Sequence, residues 1–274
     1  MKITFLGVSG ALSPGHNSNI LIDSDKGETL LFDAGITLKQ SLEDANRDVS
    51  EIDSIFISHL HSDHCGSLEW LGYYSYFILK KRITLYIHES MVSDLWSMLR
   101  PGMERLQDNE LMTIEDYFNT AVFKDNQPCC VGSFYFVPVR QIHVETPYGN
   151  MYSYGMVVGN STHITGERYR AKPSDDKRIF ISSDSKCIHI PYTDDMMESE
   201  YDYDYIFCDC DVMNLDGVHA NYNDLKRLDK DIKKRIWLYH YTDLNKYDGK
   251  FGEMPNALAD GFAGFVKQGQ IFEF

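Results

Sequence analysis

Cysteine is scarce and unpatterned in this chain. Its six residues in 274 (Cys65, Cys129, Cys130, Cys187, Cys208 and Cys210) form no CxxC pair and no repeating framework. That argues against a disulfide-stapled scaffold and predicts reduced thiols. Positive charge is also short: 26 Lys and Arg against 41 Asp and Glu give a net charge of −15. The small basic groups Lys80-Lys81-Arg82 and Lys233-Lys234-Arg235 make no dominant face of the kind that grips a phosphate backbone. A long nucleic acid is therefore not the expected partner. No run approaches the roughly 18 apolar residues of a membrane span. The opening "MKITFLGVSGALSPG" is broken by Thr4, Gly7, Ser9 and Gly10, and reads as a first strand and its loop rather than a signal segment. A cytoplasmic protein is expected. No Ser/Gly-rich linker or low-complexity tract divides residues 1–274, so one domain is expected, with 43% hydrophobic residues to fill its core.

What is present, first of all, is short β patterns. "KITFLGV", "NILIDS" and "ETLLFDAG" alternate or run apolar, and "DSDKGE" turns between the second and third. "DSIFISH" is a fourth strand. "GSLEWLGYYSYFILKK" has helical spacing, with Leu68, Leu71, Tyr74 and Ile78 on one face. "RITLYIH" returns to strand, and "ESMVSDLWSMLRP" reads as a helix ending near Pro101 and Gly102. Residues 101–128 look irregular. Strands follow at "SFYFVPVRQIH", "YSYGMVVGN", "RIFISSDS", "YDYIFCDCD" and "RIWLYHY", with helices at "NYNDLKRL" and "LADGFAGFVKQG". β-rich halves with interspersed helices predict a layered α/β or α+β fold, two packed sheets with helices outside.

The densest chemistry lies in "ISHLHSDHCG", which places His59, His61, Asp63 and His64 within six positions of a chain holding ten histidines. In an extended segment, residues i, i+2 and i+4 point the same way. His59, His61 and Asp63 are thus expected to converge, with His64 turning as a helix begins. Imidazole and carboxylate are the ligands that a borderline divalent metal such as zinc takes. One cluster does not saturate two ions. Further candidates end apolar strands and precede polar loops, where binding residues collect: His143, Asp184 and His240. Each of these alone fits a cap or a hydrogen-bonded core group equally well; with the cluster they form a set.

The HxHxDH pattern at 59–64, followed in order by His143, Asp184 and His240, resembles the metallo-β-lactamase superfamily. The opening "FLGVSGALSPGHNSNILI" resembles its first strands, with Asp33 in the place of its structural aspartate. The resemblance spans nearly the whole chain and implies an αββα metallo-β-lactamase sandwich with two divalent metal ions at one edge. His59, His61 and His143 would hold one ion, Asp63, His64 and His240 the other, with Asp184 bridging. Zinc is the first expectation, although His and carboxylate also suit manganese or iron. Two cations about 4 Å apart lower the pKa of a shared water and neutralise charge on attacking and leaving oxygens. Asp63 is the candidate to accept that water's proton.

"CDCDVMNLDGVHANYNDL" resembles the tRNase Z-like phosphodiesterase branch, in which a strand ends in an acidic residue and a Gly-His motif follows. Asp209 and His219 occupy those places, with Val218 inserted between Gly217 and His219. The resemblance implies that His219 protonates the leaving oxygen or holds a phosphoryl oxygen, with Asp209 orienting its ring. An exposed histidine at a helix start is the plain alternative. Members that process tRNA carry a long basic arm. Only positions 144–183 separate His143 from Asp184, which leaves no room for one.

Among armless members, "LEWLGYYSYF", "ERLQDNELMTIEDYF" and Ser153-Tyr154-Gly155 resemble the anti-Pycsar cyclic-nucleotide phosphodiesterases. That resemblance implies a small cyclic-nucleotide substrate, a viral counter-defence role in a host cytoplasm, and a homodimer. A tRNase Z-like or other metal-dependent nuclease is the second reading. A protein that sequesters a nucleotide without cleaving it is the third. Tyr73, Tyr74 and Tyr76 could stack a base, but suit a core or dimer face better. His88 reads as a capped strand end and His189 as a more distant candidate. His16 and Asn17 fit a rim, and Cys129-Cys130 lacks metal-ligand spacing.

Overall fold

Runs of β-branched and aromatic residues between Gly, Asp and Asn turns favour strands, and here they build two sheets. The structure, a computed structural model, describes residues 1–106, 111–160, 177–186, 203–215 and 217–274. The first sheet contains β1 (Lys2–Phe5), β2 (Ile20–Asp23), β3 (Thr29–Phe32), β4 (Ser54–Phe56), β5 (Ile83–His88) and β6 (Phe118–Phe123). The second contains β7 (Cys129–Val131), β8 (Phe134–Thr146), β9 (Gly149–Asn160), β10 (Ile179–Ile181), β11 (Tyr205–Asp209), β12 (Ile236–Tyr239) and β13 (Gly264–Phe265). The last strand, β14 (Ile271–Glu273), crosses back to pair antiparallel with β1. The orders are β14-β1-β2-β3-β4-β5-β6 and β13-β12-β11-β10-β9-β8-β7.

β3 to β6 are parallel, as are β10 to β13. Parallel strands are covered on both faces and read as continuous apolar runs; β3 and β10 are buried at every position. The core lies between the sheets. Phe5 of β1 meets Phe207 of β11 at 4.9 Å between ring centroids, and Phe56 of β4 meets Phe136 of β8 at 5.3 Å. Helices flank the pair: α1 (Leu38–Asp44), α2 (Ser62–Cys65), α3 (Leu68–Tyr73), α4 (Val92–Met103), α5 (Ile114–Tyr117), α6 (Tyr222–Leu225) and α7 (Lys230–Lys233). α4 buries Leu95, Leu99 and Met103 at four-residue spacing. This is the αββα sandwich. Among the described residues, no helix is long and apolar enough to cross a membrane.

Three local expectations are corrected. Residues 101–128 are not irregular throughout: among the described ones, α4 runs through Pro101 to Met103, and α5 and β6 lie further on. β6 is an edge strand with only Phe118 and Phe123 fully buried, so its sequence carries little apolar signal. The last helix, over 258–269, is absent. Gly261 (φ +91°) and Gly264 (φ +143°) adopt backbone conformations that no helix uses, and β13 pairs with β12 instead. The helix after residue 66 exists, but its second half, Tyr74–Leu79, is π-helical. The wider turn rotates the face: Leu68 and Leu71 are buried as expected, whereas Ser75 replaces Ile78, which is 64% exposed. Tyr73 and Tyr76 pack on Tyr117 of α5. Cys187, His189 and most of the acidic stretch 194–204 lie outside the described residues.

Candidate metal centre

The carboxyl ends of parallel strands are where open α/β sheets collect ligands, and the candidate residues meet there. His59 follows β4, Asp184 follows β10, Asp209 ends β11 and His240 follows β12. His61 is still extended and caps α2, which begins at Ser62. The i, i+2, i+4 convergence therefore holds for His59 and His61 only. α2 turns Asp63 to the other side, toward His64 and His240. His143 reaches the site by a β-bulge. Ile142 pairs with Tyr152 and Val144 with Met151, so His143 is the extra residue of β8. Bulges re-aim side chains in this way.

Two sets of ligand atoms result. In the first, His61 Nδ1 lies 3.1 Å from both His59 Nε2 and His143 Nε2, while Asp184 Oδ2 lies 3.7 and 3.6 Å from His59 and His143. In the second, His64 Nε2 lies 3.3 Å from Asp63 Oδ2 and 3.3 Å from Asp184 Oδ1. His240 Nε2 lies 3.3 Å from Asp184 Oδ1 and 3.7 Å from Asp63 Oδ2. One carboxylate thus offers an oxygen to each set. Ligands about 2.0–2.1 Å from a tetrahedral centre stand about 3.3–3.4 Å apart, so these spacings suit cations. The orphan atoms agree: His64 Nε2, His240 Nε2 and Asp184 Oδ1 are buried without a hydrogen-bond partner, a costly state unless an ion completes them.

Behind the site, the other ring nitrogens are held. His59 Nδ1 is 3.0 Å from Ser58 Oγ, His64 Nδ1 2.7 Å from Asp33 Oδ2, and His240 Nδ1 2.9 Å from Ser18 Oγ. His143 Nδ1 donates to the Val218 carbonyl at 3.0 Å. Such partners orient metal-binding imidazoles, and those that only accept, the Asp33 carboxylate and the Val218 carbonyl, also fix the tautomer. Asp33 also accepts from the Ser58 amide and hydroxyl, both at 2.8 Å. Ser18, Ser58 and Val218 were not singled out from the sequence for this role. Only the adjacency of Ser58 to His59 offered any signal.

Charge and burial reinforce the arrangement. Burial, with neighbouring imidazoles, pushes His59 well below the ordinary histidine value and lowers His61 and His143. Burial also lowers His240 against the pull of Asp184. Neutral imidazole is the metal-ligating form. His64 is different: burial would lower it, but Asp184 and Asp33 raise it well above the usual range. Burial would raise the Asp184 carboxyl, yet the His240 and His64 imidazoles hold it well below its ordinary value. Asp63 is likewise brought down to about 2 by His64 against its burial.

At the half-exposed side, His219 Nδ1 bonds Asp209 Oδ2 at 3.0 Å and lies 3.7 Å from Asp184 Oδ2. Burial depresses this histidine, but the Asp209 carboxylate outweighs it and lifts the imidazole to about 10. Asp209 is buried and also accepts the Ser185 amide at 2.9 Å. His16 pairs with Asp44 at 2.7 Å. His88 stacks on Tyr154 at 4.3 Å and bonds Ser90, a strand end held by its own neighbours. Asn17 bonds Thr37. Cys129 and Cys130 are free.

Comparison with known proteins agrees with this geometry. A family model described as "Anti-Pycsar protein Apyc1" matches residues 1–272. The protein of that description from Paenibacillus harenae is 28% identical over 260 residues, covering 93% of this chain and 95% of its own. Its namesake from Bacillus phage vB_BsuM-Goe3 is 26% identical over 266 residues, covering 92% and 94%. Among solved structures, the metallo-β-lactamase fold protein YhfI from Bacillus subtilis superposes with a TM-score of 0.67 at 18% identity, covering 99% of each chain. The chain belongs to the anti-Pycsar Apyc1 family and has the metallo-β-lactamase fold.

Proposed function

We propose that the chain is a binuclear metal-dependent phosphodiesterase that hydrolyses small cyclic nucleotides. The observation that carries this reading is the approach of Asp184 to both ligand sets, with a carboxylate-supported histidine at their half-exposed side. His59, His61 and His143 would hold one divalent cation, and Asp63, His64 and His240 the other. Asp184 would offer an oxygen to each. Bound there, two cations (zinc being the expected ions) would supply a water of lowered pKa and neutralise phosphoryl charge.

The chain's own groups do the rest. Asp63, kept ionised, accepts the proton of the attacking water as its oxygen bonds to phosphorus. The phosphorus–alkoxide bond of the ring breaks, and the leaving oxygen takes a proton from His219 Nε2. Asp209 holds the opposite nitrogen, so the ring presents Nε2 outward and stays protonated at neutral pH. The product is the linear nucleoside monophosphate. Relatives encoded by Bacillus phages carry the anti-Pycsar name, which supports a counter-defence role in a host cytoplasm. One domain acting as a homodimer completes the reading.

The test is a panel of cyclic mono- and dinucleotides and a tRNA precursor, incubated with zinc-loaded enzyme and separated by chromatography. Linearised cyclic mononucleotides are expected. Trimming of the tRNA trailer alone would favour a nuclease, and a cyclic nucleotide bound yet recovered intact would favour sequestration.

A further inference from the structure

Val218 is the residue that interrupts the Gly-His step, and its carbonyl oxygen accepts the His143 Nδ1 proton at 3.0 Å. We propose that this carbonyl is a positioning group that readies His143 for an ion on Nε2 and couples that ion to the placement of His219. The proposal rests on the reading of His143 as a metal ligand.

Four imidazoles aim Nε2 at the site, and their Nδ1 partners differ in kind. Ser18, Ser58 and Asp33 belong to the buried frame of the first sheet. A hydroxyl can rotate to donate or accept, so Ser18 and Ser58 do not by themselves dictate a tautomer. A carbonyl only accepts. It obliges His143 to carry its proton on Nδ1 and leaves Nε2 as a lone pair facing His61 Nδ1 at 3.1 Å. The need is greatest here, because His143 is the bulged residue of β8 and lacks a register partner across the ladder.

Val218 is also the one partner of the four that sits on a half-exposed loop. The next residue, His219, is tied by Nδ1 to Asp209 Oδ2 at 3.0 Å, and its ring lies 5.4 Å from that of His143. Two consecutive residues thus grip a metal ligand with a backbone carbonyl and the carboxylate behind the proton donor with a side chain. A cation on His143 Nε2 makes its Nδ1–H a stronger donor, which tightens the hold on Val218. Linkage makes the effect mutual: the docked loop favours the ion, and the ion favours the docked loop. The ion thereby favours the placement of His219 at the reacting centre.

Two measurements test this without reading activity. Zinc affinity is measured by competition with a chromogenic chelator for the parent, Val218→Ala and a Val218 deletion. The alanine variant keeps the carbonyl and should stay within about twofold of the parent, whereas the deletion should bind about 10–100-fold more weakly. Hydrogen exchange of residues 217–220 in the parent should slow when zinc is added to the metal-free protein. Parental zinc affinity in a folded deletion variant, or exchange at 217–220 that zinc leaves unchanged, would overturn the coupling. Should the deletion fail to fold, the exchange experiment on the parent decides alone. A parent that binds no zinc would instead sink the metal reading and this proposal with it.

Discussion

At the scale of single residues, the site is made of ordinary side chains in unusual states. Asp33, Ser183 and His240 all have positive φ, at +64°, +56° and +57°. Each such non-glycine residue costs of order 1–3 kcal/mol, a cost that persists where surrounding contacts over-determine the backbone. Here Asp33 gathers Ser58 and His64, and His240 is held by Ser18. The role of His219 is open to a direct test at this scale. His219→Ala should lower kcat for a cyclic nucleotide by about 10²–10⁴-fold at saturating zinc, where zinc content stays at the parental level. On a p-nitrophenyl phosphodiester, whose leaving group needs no proton, the loss should shrink to less than about tenfold. Equal losses on the two substrates would contradict a proton donor.

Among the elements, β9 joins the two ligand regions. Ser153 donates its hydroxyl to the Asp184 carbonyl, and the Tyr154 amide donates to the Ser58 carbonyl at 3.0 Å. Gly155 lets β9 and β10 approach closely: a Cβ there would lie 2.4 Å from the Ile181 oxygen and 2.5 Å from that of Ser182. Gly155→Ala should therefore cost about 1–3 kcal/mol of stability in urea unfolding, and should weaken zinc binding by displacing Asp184. Retained stability and affinity would show that β10 yields freely.

The β2–β3 hairpin is secured from outside the sheet. Asp23 takes Arg47 at 2.8 and 3.1 Å and the Thr29 hydroxyl at 2.9 Å. Burial would raise the Asp23 carboxyl, but Arg47 outweighs it and holds it below the usual range. A carboxyl depressed on folding stabilises above its unfolded value near 3.9, and that contribution is lost as pH falls through the folded value. Arg47→Met should thus lower the unfolding free energy by about 1.5–3 kcal/mol at pH 7, with the difference narrowing below about pH 4. Urea titrations at both pH values check it.

For the whole molecule, the ligands come from both layers. His59, His61, Asp63 and His64 follow the first sheet's β4, and His143, Asp184 and His240 come from the second. Cations would therefore bridge the sandwich at one edge. Each zinc ion at about 100 times its dissociation constant adds about 2.7 kcal/mol, so two add about 5 kcal/mol, and each kcal/mol moves Tm by about 2–4 °C in a chain of this size. Excess chelator should accordingly lower Tm by roughly 10–20 °C. A Tm indifferent to chelator would separate the ligand sets from any bound metal.

The layered fold and the strand-end positions of the candidate ligands were legible because residue type and short-range spacing carry them, whereas the Asp209–His219 pairing was implied by the family resemblance of the motif around it. β6 and the terminal β13 were not legible. An edge strand with few buried positions lacks an apolar pattern, and two glycines at positive φ undo a helical one. By itself the sequence determined which side chains are available for metal chemistry and in what order they occur. Only the tertiary structure decided which atom of each faces the site and that Val218 holds His143. The reason is distance along the chain: contacts such as His143 to Val218, 75 residues apart, and His240 to Ser18, 222 apart, leave no trace in local spacing.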